Sequence, residues 1–265
     1  MSLKAAKDGA SIAIAAKTVV PHPKLPGTIY TAAEGIERAG GKGELRIRIT
    51  CPLPLVCDIR DDEAIKAAIK NTVCAFGGID IVVNNASAIS LTDTQKTSLK
   101  TYNLMNEVNT RGTWLVTKHA LSSLLESAQN KRNPHILNIS PPLSMQEESF
   151  SKHVAYSIAK YGMSMCVLGW AGEFRGKIAV NDKNLGSKSR KSEIMADAAH
   201  VILTKPVEFT GNFSVDEIVL RKNGQTEFDN YLVTPGNEDP TRDLFLDKEV
   251  FEQAELLKKE QEKSK

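Results

Sequence analysis

Tyr156 and Lys160, in the run YSIAK, stand four residues apart inside a stretch with helical periodicity. That spacing puts both side chains on one helix face. A phenol with a pKa near 10 is a poor acid or base at neutral pH. An ammonium beside it favours the phenolate and lowers that pKa, which gives a usable proton donor or acceptor. The same spacing also fits a core tyrosine beside a lysine that snorkels to solvent. What surrounds the pair therefore has to decide between the two.

Three further runs precede the pair in a fixed order. NNAS (Asn84–Ser87) closes an apolar run, at the point where an open parallel sheet would bind a ligand beyond its strand ends. VNTRG follows in a helical stretch, with Asn109 as a residue for a buried polar role. HILNIS then leads toward the Tyr-Lys helix and ends on Ser140.

The elements that would position these residues alternate along the chain. A short helix ends at Leu3 to Lys7 with Gly9 as its cap, and Ser11 to Ala16 reads as a strand. A proline-rich loop, VVPHPKLPGT, leads to a helix over Tyr30 to Ala39. LPLVC is a strand, and Asp61 to Phe76 a helix capped by Asp61 or Asp62. Ile79 to Asn85 is a strand of the kind buried on both faces. Helical stretches at Thr94–Met105 and Glu107–Leu125, the strand HILNIS, and the long helix KHVAYSIAKYGMSMCVLGWAGEF come next. KIAVN is a strand, Glu193 to Leu203 a helix, and GNFSV a last strand. Such alternation predicts an α/β fold, a Rossmann-type doubly wound parallel sheet with helices on both faces. It divides into a domain over residues 1–246 and a charged helical tail or linker over 247–265.

Composition narrows the function classes. The 265 residues are 41% hydrophobic and 25% charged, with a net charge of +2. That balance fits a soluble globular protein and gives no basis for a nucleic-acid partner. The basic stretch Lys183 to Lys191 reads as a solvated loop. No apolar run reaches the length of a membrane span. The four cysteines and five histidines show no metal-ligand spacing, so no metal site or disulfide framework is expected.

Taken together, NNAS, Asn109, the serine after HILNI and YSIAK resemble the short-chain dehydrogenase/reductase family, whose marks are N-N-A-G, a helical asparagine, a strand-end serine and Y-x-x-x-K. The resemblance extends over Leu3 to Asp247. It implies Tyr156 as general acid/base, and Lys160 as its partner and a ligand of the nicotinamide ribose. Asn109 would hold a water in the proton relay. Asn85 and Ala86 would line the cofactor, with Asn84 supporting the sheet. Asp58 would cap the adenine pocket. Lys17, after the second strand, stands where a cation suits a 2′-phosphate and hence NADP. The serine falls at Ser140, sixteen before Tyr156, or Ser144, twelve before; the usual position, about thirteen before, is Leu143. Ser140, at the strand end, is favoured.

The sequence departs from the family pattern in three places. No first strand with a T-G-x-x-x-G-x-G phosphate turn stands ahead of Met1, so the resemblance implies an N-terminally truncated form. GELRIRITC (Gly43–Cys51) reads as an inserted hairpin or loop. The proline-bearing loop expected after KIAVN is replaced by DKNLGSKSRKSE. These departures bear on cofactor grip, and weak NADP binding with little reductase activity is the expectation. Two functions follow: an NADP-dependent oxidoreductase acting on a hydroxyl or carbonyl of a lipid-like substrate, or a catalytically silent homologue acting by binding or dimerisation. The long helices offer a surface for a homo-oligomer. The resemblance also implies a peroxisomal or mitochondrial place and a C-terminal sterol-carrier domain beyond LLKKEQEKSK. Judged alone, the chain reads as cytoplasmic and ends Lys-Ser-Lys rather than in a peroxisomal signal.

Overall fold

The computed structural model describes residues 1–22, 27–40, 52–141, 144–184, 190–234 and 248–263. The expected insertion at Gly43–Cys51 and part of the proline-rich loop lie outside the described residues.

Local signals set the first elements. Helix α1 (Ser2–Lys7) stops where Gly9 takes a positive φ, and strand β1 (Ala13–Ala16) follows. Helix α2 (Ile29–Ala39) starts in a capping box: the Thr28 hydroxyl accepts from the Tyr30 and Thr31 amides, and Thr31 Oγ1 accepts from the Thr28 amide. After β2 (Leu53–Val56), Asp61 caps α3 (Asp62–Phe76), which ends at Gly77 in the left-handed region. Strand β3 (Ile81–Asn84) leads into α4 (Leu99–Met105), a π-helical turn over Asn106–Gly112, and α5 (Thr113–Gln129). Then come β4 (His135–Ile139), a short α6 (Glu147–Phe150), the long α7 (Val154–Glu173) and β5 (Ala179–Asn184). The chain continues through α8 (Ser192–Leu203), β6 (Phe213–Val215), α9 (Asp216–Lys222) and α10 (Lys248–Lys263).

The pairings between the described strands are parallel, as the strand–helix alternation predicts. Helices cover both faces of the larger sheet. Val167 and Trp170 of α7 pack with Ile136 and Val180 on one side, while Ala199 and Ile202 of α8 pack with Leu137 on the other. The described strands form two sheets, β1-β2 and β3-β4-β5-β6. Helical layers span them: α1 packs on both α2 and α8, and α3 packs on α5. Lys4 of α1 pairs with Asp197 of α8, and His200 of α8 reaches Asp8.

Two expectations are corrected here. Strand β3 is not buried on both faces: Val82 and Asn84 are buried, but Ile81 and Val83 are 43% and 38% exposed. Helix α5 packs on one face of β3, and among the described residues β4 alone pairs with it along an edge, so alternate residues remain open. Lys183 is not part of a solvated loop. Strand β5 runs past KIAVN to Asn184, and Lys183 is fully buried in an ion pair with Asp216 of α9. Pairing with β4 and β6 on both sides carries these polar residues into the sheet. The tail also does more than its composition suggests. Gln261 of α10 donates to the carbonyls of Arg221 and Gln225 and accepts from Arg221 Nη1.

Candidate active site

The sequence-derived residues gather at the carboxyl ends of the strands. Asn84 closes β3 from inside: its Nδ2 donates to Asn138 Oδ1 at 2.8 Å and to Thr117 Oγ1 at 3.2 Å. Asn138 in turn donates to the Met163 carbonyl of α7 at 3.0 Å. This buried amide pair therefore fixes β3, β4, α5 and α7 in one arrangement, the supporting role expected of Asn84. Asn85 and Ala86, the next two residues, are exposed beyond the strand end.

Asn109 is fully buried in the π-helical turn. Its Oδ1 accepts from the Ala88 amide at 2.8 Å and its Nδ2 donates to the Ala88 carbonyl at 2.9 Å. One side chain thus pins the loop that carries Asn85 and Ala86. The neighbouring Thr110 donates to the Ala159 carbonyl at 2.8 Å, which clamps the π turn onto α7 one residue before Lys160. A π turn inside an α-helical run commonly marks a functional site.

Tyr156 and Lys160 are both buried on α7. Tyr156 packs with Met105, Ala155 and Ala159. The Lys160 ammonium donates to the Ile139 carbonyl at the end of β4 at 2.8 Å and lies 3.3 Å from Met163 Sδ. Burial lowers its pKa to about 8, against the attraction of Asp182. Ser140, also buried, donates to the Lys160 carbonyl at 3.1 Å. The alternative, Ser144, is engaged elsewhere: its amide donates to Tyr161 Oη at 2.8 Å and its hydroxyl accepts from the Gln146 amide. Leu143 lies outside the described residues.

A second group stands beyond β1 and β2. Lys17 lies 3.9 Å from Asp58, and Arg60 grips the same carboxylate with Nε and Nη2 at 3.0 and 2.6 Å. The Arg60 hydrogen bonds hold Asp58 at a pKa of about 2. Lys17 and Asp58 are therefore neighbours, as the strand order requires. Arg60 was not singled out from sequence; its place two residues after Asp58, in CDIRD, is the only signal of it there. The two groups meet through Arg111, two residues after Asn109, which donates to the Arg60 carbonyl at 2.8 Å.

These groups fit parts of a dinucleotide. The cations Lys17 and Arg60 suit a phosphate, and the exposed Asn85 and Ala86 admit a flat ring against the backbone, while the Lys160 amine is engaged by the Ile139 carbonyl. Among the described residues no cluster of metal-ligating side chains occurs, and no helix is long and apolar enough to cross a membrane.

Comparison with known proteins shows the family and the fold. A family model described as enoyl-(acyl carrier protein) reductase matches residues 33–182. The hydroxysteroid dehydrogenase-like protein 2 of Danio rerio is 51% identical over 264 residues, covering 93% of this chain. The chain spans 60% of that relative's length. A crystal structure of a short chain dehydrogenase from Mycobacterium thermoresistibile superposes with a TM-score of 0.84 at 41% identity, covering 93% of this chain and 89% of that one. At 21% identity, a metagenomic short-chain oxidoreductase in complex with NADP shares the fold with a TM-score of 0.65, over 81% of this chain and 88% of its own.

Proposed function

Because the chain belongs to the short-chain dehydrogenase/reductase family, we propose that it is an oxidoreductase moving a hydride between NADP and a hydroxyl or carbonyl carbon of a lipid-like substrate. The observation that carries this reading is the junction of two elements: helix α7, which bears Tyr156 and Lys160, and the Asn109 turn, which Thr110 ties to α7 one residue before Lys160.

In this reading Lys17 and Arg60 hold the 2′-phosphate, and Asn85 and Ala86 line the ring system. Lys17 is exposed and shares Asp58 with Arg60, so the two cations keep surplus positive charge for an anion. The nicotinamide, when bound, supplies or accepts the hydride at the substrate carbon. Tyr156 gives the proton to the carbonyl oxygen in reduction and takes it from the hydroxyl in oxidation. Lys160, charged below about pH 8, favours the phenolate that forms when the proton leaves. Asn109 keeps the loop after β3 in place through Ala88, and a water held beside it would carry protons to Lys160. Exposed Ile89 and Met145, on the loops after β3 and β4, support an apolar substrate. So does the name of the Danio rerio relative.

One observation favours the second reading, a catalytically silent homologue acting by binding or dimerisation. The Lys160 ammonium and the Ser140 hydroxyl both point into the fold, onto backbone carbonyls. Exposed Trp114, Ile158, Met165 and Leu168 on α5 and α7 would supply its contact surface. Calorimetric titration with NADPH and NADH, followed by a carbonyl panel with the wild type and Tyr156→Phe, separates the two. Micromolar NADPH binding and turnover lost in Tyr156→Phe support the oxidoreductase and overturn the weak binding expected from the sequence; no binding of either nucleotide overturns the oxidoreductase.

A further inference from the structure

Strand β5 carries two opposite charges side by side, Asp182 and Lys183, and both are 0% exposed. Successive residues of a strand face opposite sides of the sheet. Lys183 turns toward α9 and is matched there by Asp216. Asp182 turns toward α7, where no ion pair meets it among the described residues. What faces it from α7 is the Ser164 hydroxyl, 2.9 Å from Oδ2, and the charge of Lys160 one turn earlier. The backbone amides of Lys183 in β5 and of Ser140 at the end of β4 lie near it, and Lys183 adds its charge from behind the strand. Oδ1 accepts no hydrogen bond of ordinary geometry among the described residues.

Ser164 also links this carboxyl group to the candidate active site. Its Oγ lies 3.2 Å from Ser140 Oγ, and Ser140 Oγ lies 3.1 Å from the Lys160 carbonyl. A hydroxyl has one proton to donate, and an ionised carboxylate can only accept. With Asp182 ionised, Ser164 gives its proton to Oδ2 and offers a lone pair to Ser140. With Asp182 protonated, the carboxyl group can donate to Ser164. Ser164 then turns its proton to Ser140, and the Ser140 proton is left to the Lys160 carbonyl. One proton on Asp182 thus decides whether Ser164 can accept from Ser140 or donates to it.

We propose that Asp182 is a positioning residue of the Tyr156–Lys160 centre, the buried counter-charge of the Lys160 ammonium and, through Ser164, the group that sets which way the Ser140 hydroxyl points. The inference rests on the reading of Tyr156 and Lys160 given above. It concerns a carboxyl group outside the Asn-Ser-Tyr-Lys set. Burial pushes Asp182 up to about 7, opposed by Ser164 and then by Lys160, and burial brings Lys160 down to about 8. Both groups therefore change charge close to neutrality, and each feels the other.

The test is a titration of the Lys160 13Cε resonance in the full chain, assigned by its loss in Lys160→Arg. The wild type is expected to show a main inflection near pH 8 and a smaller one near pH 7, the imprint of Asp182. Asp182→Asn should remove the smaller inflection and lower the main midpoint by about one pH unit, since it deletes an opposite charge. Ser164→Ala should keep both inflections and raise the smaller one, because the carboxylate loses its hydrogen bond. A Lys160 midpoint unmoved in Asp182→Asn overturns the proposal. Should that variant not fold, a single inflection in the wild type overturns it equally. No turnover is needed for this readout. A coupled titration in a chain without reductase activity would refute the oxidoreductase and keep this role for Asp182, and activity with an uncoupled Lys160 would do the reverse.

Discussion

Gly162→Ala tests the clamp between the π-helical turn and α7. Gly162 sits in the middle of α7, where a glycine ordinarily costs about 1 kcal/mol relative to alanine. Propensity alone therefore predicts that the substitution stabilises the protein. Packing predicts the opposite. A Cβ on Gly162 would meet the Thr110 side chain, with Cγ2 at 2.6 Å and Cβ at 3.0 Å, well inside van der Waals contact. Thr110 cannot move aside freely, because its hydroxyl holds the Ala159 carbonyl at 2.8 Å. Overpacking of this kind costs roughly 1–3 kcal/mol, and losing the hydrogen bond about 1 kcal/mol more. Set against the propensity gain, the net loss is about 1–3 kcal/mol. Gly169, two turns further along the same helix, is the internal control. It is exposed and a Cβ there meets nothing within 4 Å, so Gly169→Ala should gain up to about 1 kcal/mol. Urea unfolding followed by circular dichroism reads both. With an m-value of about 3 kcal/mol/M, the midpoints should move in opposite directions, by up to about 1 M for Gly162→Ala. Adding Thr110→Ala removes Cγ2 and Oγ1, so the Gly162→Ala cost should shrink in that background. If Gly162→Ala stabilises as much as Gly169→Ala does, α7 and the π turn are not in the contact described, and the tie between the Asn109 turn and the helix of the Tyr-Lys pair fails with it.

Three further outcomes are expected. Arg60→Ala should weaken NADPH binding about tenfold while leaving NADH nearly unchanged, because about 1.4 kcal/mol of charge-assisted hydrogen bonding to a 2′-phosphate is at stake; paired calorimetric titrations measure it. Asp58 has a folded pKa of about 2, below its ordinary 3.8, so its stabilising effect is complete above about pH 4 and is lost as pH falls through 2. Asp58→Asn should therefore flatten the acid limb of the melting temperature against pH, and an unchanged acid limb would count against the Arg60 pairing. Asn84→Ala leaves Asn138 Oδ1 without its buried donor and should cost about 1–3 kcal/mol in urea unfolding.

Much of the fold was legible because its signals are local. Asp61 caps its helix through amides two and three residues away, and Gly9 ends its own by a backbone conformation that glycine alone adopts cheaply. The order of Asn84, Asn109, Ser140 and Tyr156–Lys160 was equally readable, since a motif is a statement about sequence. The π turn was not. It adds no residue type and breaks no hydrophobic period, and its consequence, Asn109 turned onto Ala88, is a contact across 21 positions.

What the sequence by itself determined, then, was the alternation of strands and helices, the caps, and the helix face shared by Tyr156 and Lys160. The tertiary structure decided the rest. Asp182 and Lys183 read as the start of a polar loop, because isolated charges rarely enter a sheet. They are buried because partners distant in sequence, Ser164 with Lys160 for one and Asp216 for the other, meet them there. The exposed face of β3 has the same origin. An apolar run states what a strand could bury, and only the neighbours packed against it settle which residues are covered.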